Sequence, residues 1–321
     1  MFQIKPTKQI SRSVKKKIYF CRRLPLALLF FVPFAIPLIF SPSISASEFS
    51  SVVHKTLEGF EVVFSQTSQG LGFEIVGESL LIEKKRKKIS RMPLKVSSPV
   101  KKAFLIWSGE VKEHNENAGQ IYFLGPKNKE HRITAERLWK KNSTGILYSA
   151  LADVTAYVRS SGLYGVKNLA SDVVNPGGKD PFSVAGWALV AITEDRKSDS
   201  THSVVFLAGL QALKPGETYD LPLTPYLSKS PLKPGSIGII GGHGRAGNGS
   251  GNLFNGLAVS GQDDWDGSAG KFWDVDLFQL NLDTNNVEVN GEMALTIDPL
   301  LQWLYPLGVI LELRSPNKKE R

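Results

Sequence analysis

The sequence predicts an all-β protein, an antiparallel β-sandwich of jelly-roll type with one short crossover helix, and three features carry that prediction. The first is Phe182–Asp195, in which Val184–Ile192 is an unbroken apolar run of nine residues closed by Glu194 and Asp195. A strand with one face in water alternates apolar and polar residues, so an uninterrupted run predicts a strand covered on both faces. Val184, Val190 and Ile192 favour this strand over a short buried helix, and Gly186 and the small alanines let neighbouring backbone come close. The second feature is a succession of short apolar segments between Gly-, Pro- and Asn-containing turns, with almost no helical period. The third is Phe272–Leu280, where Phe272, Asp274, Asp276 and Phe278 alternate with Trp273, Val275, Leu277 and Gln279.

Along the chain, Phe60–Phe64 and Phe73–Val76 read as early strands with a turn over Ser65–Gly72 between them, and Gly77–Ile82 continues the second. Five consecutive basic residues follow, Lys84–Lys88. They read as a solvated loop rather than a patch for acidic polysaccharide or lipid headgroups, because no aromatic residue interleaves them. Ala103–Trp107, Ile121–Leu124 and Ile133–Leu138 are further strands. In Asp153–Ser160 an apolar stripe of Ala152, Val154, Tyr157 and Val158 runs up to Gly162, which predicts the crossover helix. Tyr164–Leu169 returns to strand, and Ser171–Asp180 is loop. Ser203–Leu213 is a strand with a bulge at its glycine. Ser236–Ile240 leads into the glycine-rich Gly238–Gly251. Asp283–Asn286 is a turn, and Val287–Ile297 and Gly308–Leu313 are the last strands.

The N-terminus has the three-part pattern of a secretory signal. Met1–Arg23 is basic and holds no acid, Leu24–Phe40 is apolar, and Ser41–Ala46 is rich in small residues. Pro25, Pro33 and Pro37 oppose a spanning helix, which favours cleavage after Ala46 over an uncleaved anchor. The expected organisation is a signal over 1–46, one β-sandwich domain over 47–316 and a polar tail over 317–321. Contact with a membrane is expected only through an uncleaved signal. Residues 1–46 carry eight of the 39 Lys and Arg and none of the 30 acids, so the remainder holds 31 basic against 30 acidic residues. That balance argues against nucleic acid as a partner. The one cysteine, Cys21, lies in the signal, so disulfides, thiolate metal sites and cysteine catalysis are excluded from residues 47–321.

Several segments in sequence order resemble a known pattern: GESLL at Gly77–Leu81, VKKAFLIWSGE at Val100–Glu110, YSALADVTAYVRSSGLYGV at Tyr148–Val166, AGWALVAITED at Ala185–Asp195 and SVVFLAGLQAL at Ser203–Leu213. After them come GGHGRAGNGSGNLFNG at Gly241–Gly256, WDVD at Trp273–Asp276 and YPLGVILELRSP at Tyr305–Pro316. Together they resemble an uncharacterised β-domain of bacterial exported and cell-surface proteins. The resemblance implies an exported β-sandwich of the cell envelope, secreted or surface-held. It transfers no catalytic residue. This chain has His243 and Arg245 where the family's glycine-rich loop usually carries an acid.

Three constellations invite chemistry. Asp263, Asp264 and Asp266, closed by Gly267, could supply oxygen ligands to Ca²⁺; the alternative is an exposed acidic turn with Trp265 folded onto the core. Trp265 and Trp273 with Asp274 and Asp276 offer the aromatic faces and acceptors of a sugar platform, although alternation puts Trp273 opposite Asp274. The alternative there is a core tryptophan with edge carboxylates. His243 sits between glycines as a candidate ligand-binding residue, but no GxSxG elbow, HExxH or phosphate loop accompanies it. Residue types thus favour a binding or structural module, adhesin- or lectin-like, whose partner is an envelope polysaccharide or a surface protein. A polysaccharide hydrolase using two carboxylates drawn from Glu110, Glu194 and Asp276 is the alternative.

Overall fold

The computed structural model describes residues 59–314 apart from 83–84, 113–115, 143–144, 173–183, 224–232, 261–262 and 281–292. The expected signal, the polar tail, Gln262, the Asp283–Asn286 turn and the first part of Val287–Ile297 lie outside the described residues. The strands in chain order are β1 Phe60–Gln69, β2 Leu71–Ser79, β3 Leu81–Ile82, β4 Lys85–Arg86, β5 Ile89–Leu94, β6 Val100–Val111 and β7 Gln120–Leu124. They continue with β8 Glu130–Thr134, β9 Arg137–Asn142, β10 Ile146–Asp153, β11 Gly162–Lys167, β12 Ala185–Glu194 and β13 Thr201–Gly209. The last are β14 Tyr219–Pro222, β15 Lys233–Gly242, β16 Gly251–Phe254, β17 Leu257–Ala258, β18 Trp273–Gln279, β19 Ala294–Asp298 and β20 Tyr305–Arg314. Their ladders are antiparallel.

Two five-stranded sheets, ordered β1-β13-β20-β15-β18 and β2-β12-β6-β10-β9, form the middle. Two four-stranded sheets, β5-β11-β7-β8 and β14-β19-β16-β17, cover their outer faces. Three apolar cores alternate with these layers. On β12, Ala185, Trp187, Leu189 and Ala191 face one core with Phe123, Tyr164 and Val166 of the β5-β11-β7-β8 sheet. Ala188, Val190 and Ile192 face the middle core with Val204, Phe206 and Ile310. The third core sets Val205, Leu207, Ile239 and Leu311 against Leu221, Phe254, Leu295 and Ile297.

This layering explains the apolar run. Every residue of β12 from Ala185 to Thr193 is buried, because both faces of the strand are covered. Ala103–Trp107 behaves the same way, with Leu105 and Trp107 in the first core and Phe104 and Ile106 in the middle one. Close approach at Gly186 is made by a side chain rather than by neighbouring backbone, since a Cβ there would lie 2.1 Å from the Trp273 indole. The four largest buried side chains, Trp107, Trp187, Trp265 and Trp273, each place the indole N–H on an acceptor: Ala118 O at 3.1 Å, Ser90 Oγ at 2.7 Å, Asn252 Oδ1 at 3.1 Å and Trp187 O at 3.1 Å. A buried indole left without an acceptor would lose that desolvated hydrogen bond.

Local expectations need correction. The crossover helix is a single 3₁₀ turn, Thr155–Tyr157, and Val154 and Val158 on either side of it are both buried. Their spacing of four mimics a helical stripe, yet two residues flanking a tight turn reach the same core. The turn expected over Ser65–Gly72 is strand as far as Gln69, and the reversal falls at Gly70, with φ +58°. Ile133–Leu138 spans the end of β8 and the start of β9 rather than one strand. The irregularity expected at Gly209 lies across the ladder, between Val62 and Phe64. In the basic run, Lys85 and Arg86 form a short ladder with Leu81 and Ile82, and both are exposed.

Candidate functional site

The acidic cluster and glycine-rich loop meet at the end of β18, but as buried structure. Trp265 and Trp273 are both fully buried, so their rings offer no face to a sugar. Trp265 joins the core shared with Leu295 and Ile297, and Trp273 joins the middle core on the opposite side of the sheet. His243 is buried too. It holds a positive φ of 75°, stacks on Phe272 at 5.3 Å and meets Tyr305 edge-on at 5.5 Å. Arg245 lies over the Phe272 ring at 4.4 Å. The sugar platform expected from these residues is therefore not formed.

The three aspartates of the turn do not converge: two are engaged by different protein donors and the third is exposed. Asp263 Oδ2 accepts from the backbone N–H groups of Gly247, at 2.6 Å, and Asn248, at 3.0 Å, which ties down the glycine-rich loop. Asp264 is buried, accepts from the Asn252 N–H at 2.7 Å and from the Ser260 hydroxyl, and burial raises its pKa. Asp266 is exposed. Among the described residues no three His, Cys, Asp or Glu side chains are placed to share one metal ion. Buried Gln302 links this region by donating to Ser250 Oγ at 2.6 Å and to the Trp265 carbonyl at 3.1 Å.

Asp274 and Asp276 share a face of β18, about 7 Å apart along the strand from its rise per residue. Asp274 is completely buried; Gly267 N–H reaches its Oδ1 at 2.6 Å, and its Oδ2 has no hydrogen-bond partner among the described residues. Gly244 closes over that oxygen, since a Cβ on Gly244 would lie 2.1 Å from it. Burial pushes the Asp274 pKa up to about 8, with the nearby Asp276 and Asp266 charges adding to the rise. Burial likewise raises half-buried Asp276 to about 6, helped by Asp266 and Asp264 and opposed by Ser268.

The remaining carboxylates do not pair. Glu110 lies next to the Ala185 end of β12, as Gly109 pairs with Ala185, and Glu194 ends that strand. At a strand's rise per residue they are about 30 Å apart, far beyond a glycosidase pair. Glu194 is instead held well below the usual carboxylate range, at about 2, chiefly by Lys101 and then by Ser68.

The open site lies elsewhere, beside β7 and the segment that leaves β11. Its cavity of about 510 Å³ is lined by Arg86, Asn117, Gln120, Ile121, Tyr122, Arg132 and the segment Asn168–Asp172. Register builds its floor. Ile121 and Phe123 turn into the core, so Gln120 and Tyr122 turn outward. Tyr122 pairs with Arg132 on β8 and with Lys167 on β11, which makes one cross-strand row of Arg132, Tyr122 and Lys167. Lys167 Nζ lies 5.0 Å from the Tyr122 ring centre and pairs with Glu130. Arg132 donates to Gln120 Oε1.

The cavity wall is pinned. Asn168, at φ 60°, turns the chain out of β11. Arg86 donates to the carbonyls of Leu169 and Ser171, the latter at 2.9 Å. Tyr148 Oη donates to the Ala170 carbonyl at 2.6 Å, and the Asp172 N–H donates to Glu110 O at 2.7 Å. Sequence reading missed this site. Its signal was the outward phase of Gln120 and Tyr122, but the neighbours come from strands distant in sequence.

No family model matches the chain, and no curated protein sequence matches it. Among solved structures, a glycoside hydrolase family 86 protein in complex with neoagarooctaose aligns at 11% identity and a TM-score of 0.29, over 82% of this chain and 34% of that one. A β-porphyranase of the same family from Bacteroides plebeius aligns at 14% identity and a TM-score of 0.28, over 71% and 36%. The major capsid protein of bacteriophage PM2 aligns at 8% identity and a TM-score of 0.22, over 76% and 97%. The chain thus spans about a third of the length of the two glycoside hydrolase chains. Similarity at TM-scores this low assigns neither fold detail nor function.

Proposed function

We propose that the chain is an exported, non-catalytic binding protein of the cell envelope that holds polysaccharide in the cavity beside Tyr122. The observation that carries this reading is the cavity itself. It is a concave site with a half-exposed aromatic ring on its floor and amide and guanidinium groups around it. Aromatic faces take the apolar side of a sugar ring while fixed polar groups take its hydroxyls, and a volume of this size accommodates one or two sugar units. The signal pattern of residues 1–46 and the resemblance to exported β-domains support the envelope location. Among the described residues no helix is long and apolar enough to cross a membrane.

Incubating the purified protein with insoluble polysaccharides and envelope material tests the reading. Loss of protein from the supernatant, abolished by Tyr122→Ala, is the expected result. Retention of the protein in solution with every polysaccharide would reject it. Cell fractionation tests the location, and full-length chain still starting at Met1 in the cytosol would contradict export.

A hydrolase is the second reading, and one observation favours it: Asp274 and Asp276 share a face at a separation suited to an inverting pair, with both pKa values raised. Against it, Asp274 is completely buried, with Gly244 packed against its free oxygen. Release of soluble sugar in the same tube would establish hydrolysis.

A further inference from the structure

We infer that the cavity beside Tyr122 selects acidic polysaccharide, a glycan whose rings carry carboxylate or sulfate groups. This inference rests on the proposed polysaccharide binding and specifies its ligand class.

The argument begins with charge. Arg86 and Arg132 both reach the cavity, and neither has an ion-pair partner among the described residues. Among the described residues one acid, Asp172, lines the cavity, and its Oδ2 already accepts from the Lys112 N–H at 3.1 Å. The third cation of the row, Lys167, is neutralised by Glu130. Two guanidinium groups therefore face the cavity against one partly engaged carboxylate. A neutral glycan would leave that excess uncompensated.

Geometry makes the excess selective. Arg86 spends one nitrogen on the two wall carbonyls, and Arg132 spends one on Gln120. Each fork is held in place with donors to spare, so little side-chain entropy remains to be lost on binding. A planar guanidinium presents paired N–H groups that match a carboxylate or sulfate edge. Tyr122, directly across the ladder from Arg132, sets a sugar ring beside that edge.

The basic run gains its missing element here. In the sequence Lys84–Lys88 has no aromatic residue near it, but the fold carries Arg86 from that run to the cavity that holds Tyr122. Lys87 is tied to Glu78 at 2.5 Å, while Lys85 and Lys88 stay exposed and add positive potential nearby. Residues 47–321 are almost neutral overall, so the attraction is local to this face and not a property of the whole surface.

The test measures affinity of the full chain for three soluble probes: polygalacturonate (carboxylate), dextran sulfate (sulfate) and unmodified dextran (neutral). Anionic phosphatidylglycerol vesicles form a fourth arm. Expected are binding of at least one acidic glycan about tenfold or more above dextran, on the scale of one charge-assisted hydrogen bond, and weakening by salt. Arg132→Gln, an exposed substitution, should weaken that binding about tenfold at an unchanged melting temperature. Arg86→Lys, which keeps charge but loses the fork, should also weaken it. Arg196→Gln, at the Glu194 end of β12, should not. Which acidic glycan wins separates carboxylate from sulfate recognition. Dextran bound as tightly as the acidic glycans, and lost in Tyr122→Ala, would overturn acid selection while leaving polysaccharide binding intact. Failure of all three glycans would overturn both. Acidic binding insensitive to Arg132→Gln and Arg86→Lys, or binding to vesicles alone, would also overturn the inference.

Discussion

Asp274 is the group whose ionisation the fold resists, and replacing it gives a quantitative test of the buried end of β18. The side chain is fully buried, and burial raises its pKa to about 8. An unfolded aspartate ionises near pH 4, on the scale of model peptides. Between those values the native state keeps a proton that the unfolded chain has released. Stability must therefore fall as pH rises, by up to about 1.4 kcal/mol per pH unit, and level off above the native pKa. From about pH 5 to about pH 8 the loss is roughly 4 kcal/mol. Half-buried Asp276 adds in the same direction below about 6, reduced by its contact with solvent. Glu194 and Glu312, both held at about 2, act oppositely and only in acid: their contribution is present above the unfolded glutamate value and is lost as pH falls through about 2. Asp274→Asn keeps the shape and the acceptor for Gly267 N–H but cannot ionise. Urea unfolding across that pH range should show a descending limb in the wild type and a limb flatter by roughly 4 kcal/mol in the variant. Parallel profiles for the two proteins would refute a protonated, buried Asp274.

Other outcomes follow from the same geometry. Gly186→Ala drives a Cβ to 2.1 Å from the Trp273 ring and should destabilise the fold by about 1–3 kcal/mol or more in chemical denaturation; a wild-type midpoint would show that the layers can separate there. Ser90→Ala removes the acceptor of the Trp187 indole and should cost about 1–3 kcal/mol, whereas a neutral result would mean water replaces the hydroxyl. Tyr122→Ala should abolish glycan retention while leaving the melting temperature near wild type, since the ring lies on the outer face of its sheet; a collapse in melting temperature would mark it as structural. Millimolar Ca²⁺ against chelator should leave the melting midpoint unchanged, because Asp263 and Asp264 are engaged by protein donors; a clear rise would restore a calcium site at the turn.

The strand at Val184–Ile192 was legible because burial on both faces removes alternation, and the structure buries the whole run. The same logic contained more than a simple sandwich. A two-layer sandwich covers one face of each sheet, yet Ala103–Trp107, Val184–Ile192 and Val204–Leu210 all run without a polar side chain. Such runs on two sheets require outer layers, which β5-β11-β7-β8 and β14-β19-β16-β17 provide. The short strands β14, β16 and β17 were invisible because each is only two to four residues long. For the site, alternation shows that Tyr122 turns outward, but not that Arg132 lies across from it or that Arg86 lines the cavity. Ladder register and a hairpin fix those neighbours. The aspartates of 263–266 announced themselves by spacing, while their destinations depended on loop amides and Asn252, which carry no spacing signal.

Polysaccharide binding at the Tyr122 cavity is tested most directly by following protein loss and sugar release in one tube of purified protein, insoluble polysaccharide and envelope material. The predicted result is that wild-type protein leaves the supernatant without releasing sugar, while Tyr122→Ala stays in solution. Release of soluble sugar, or wild-type protein that remains in solution with every material, would contradict it.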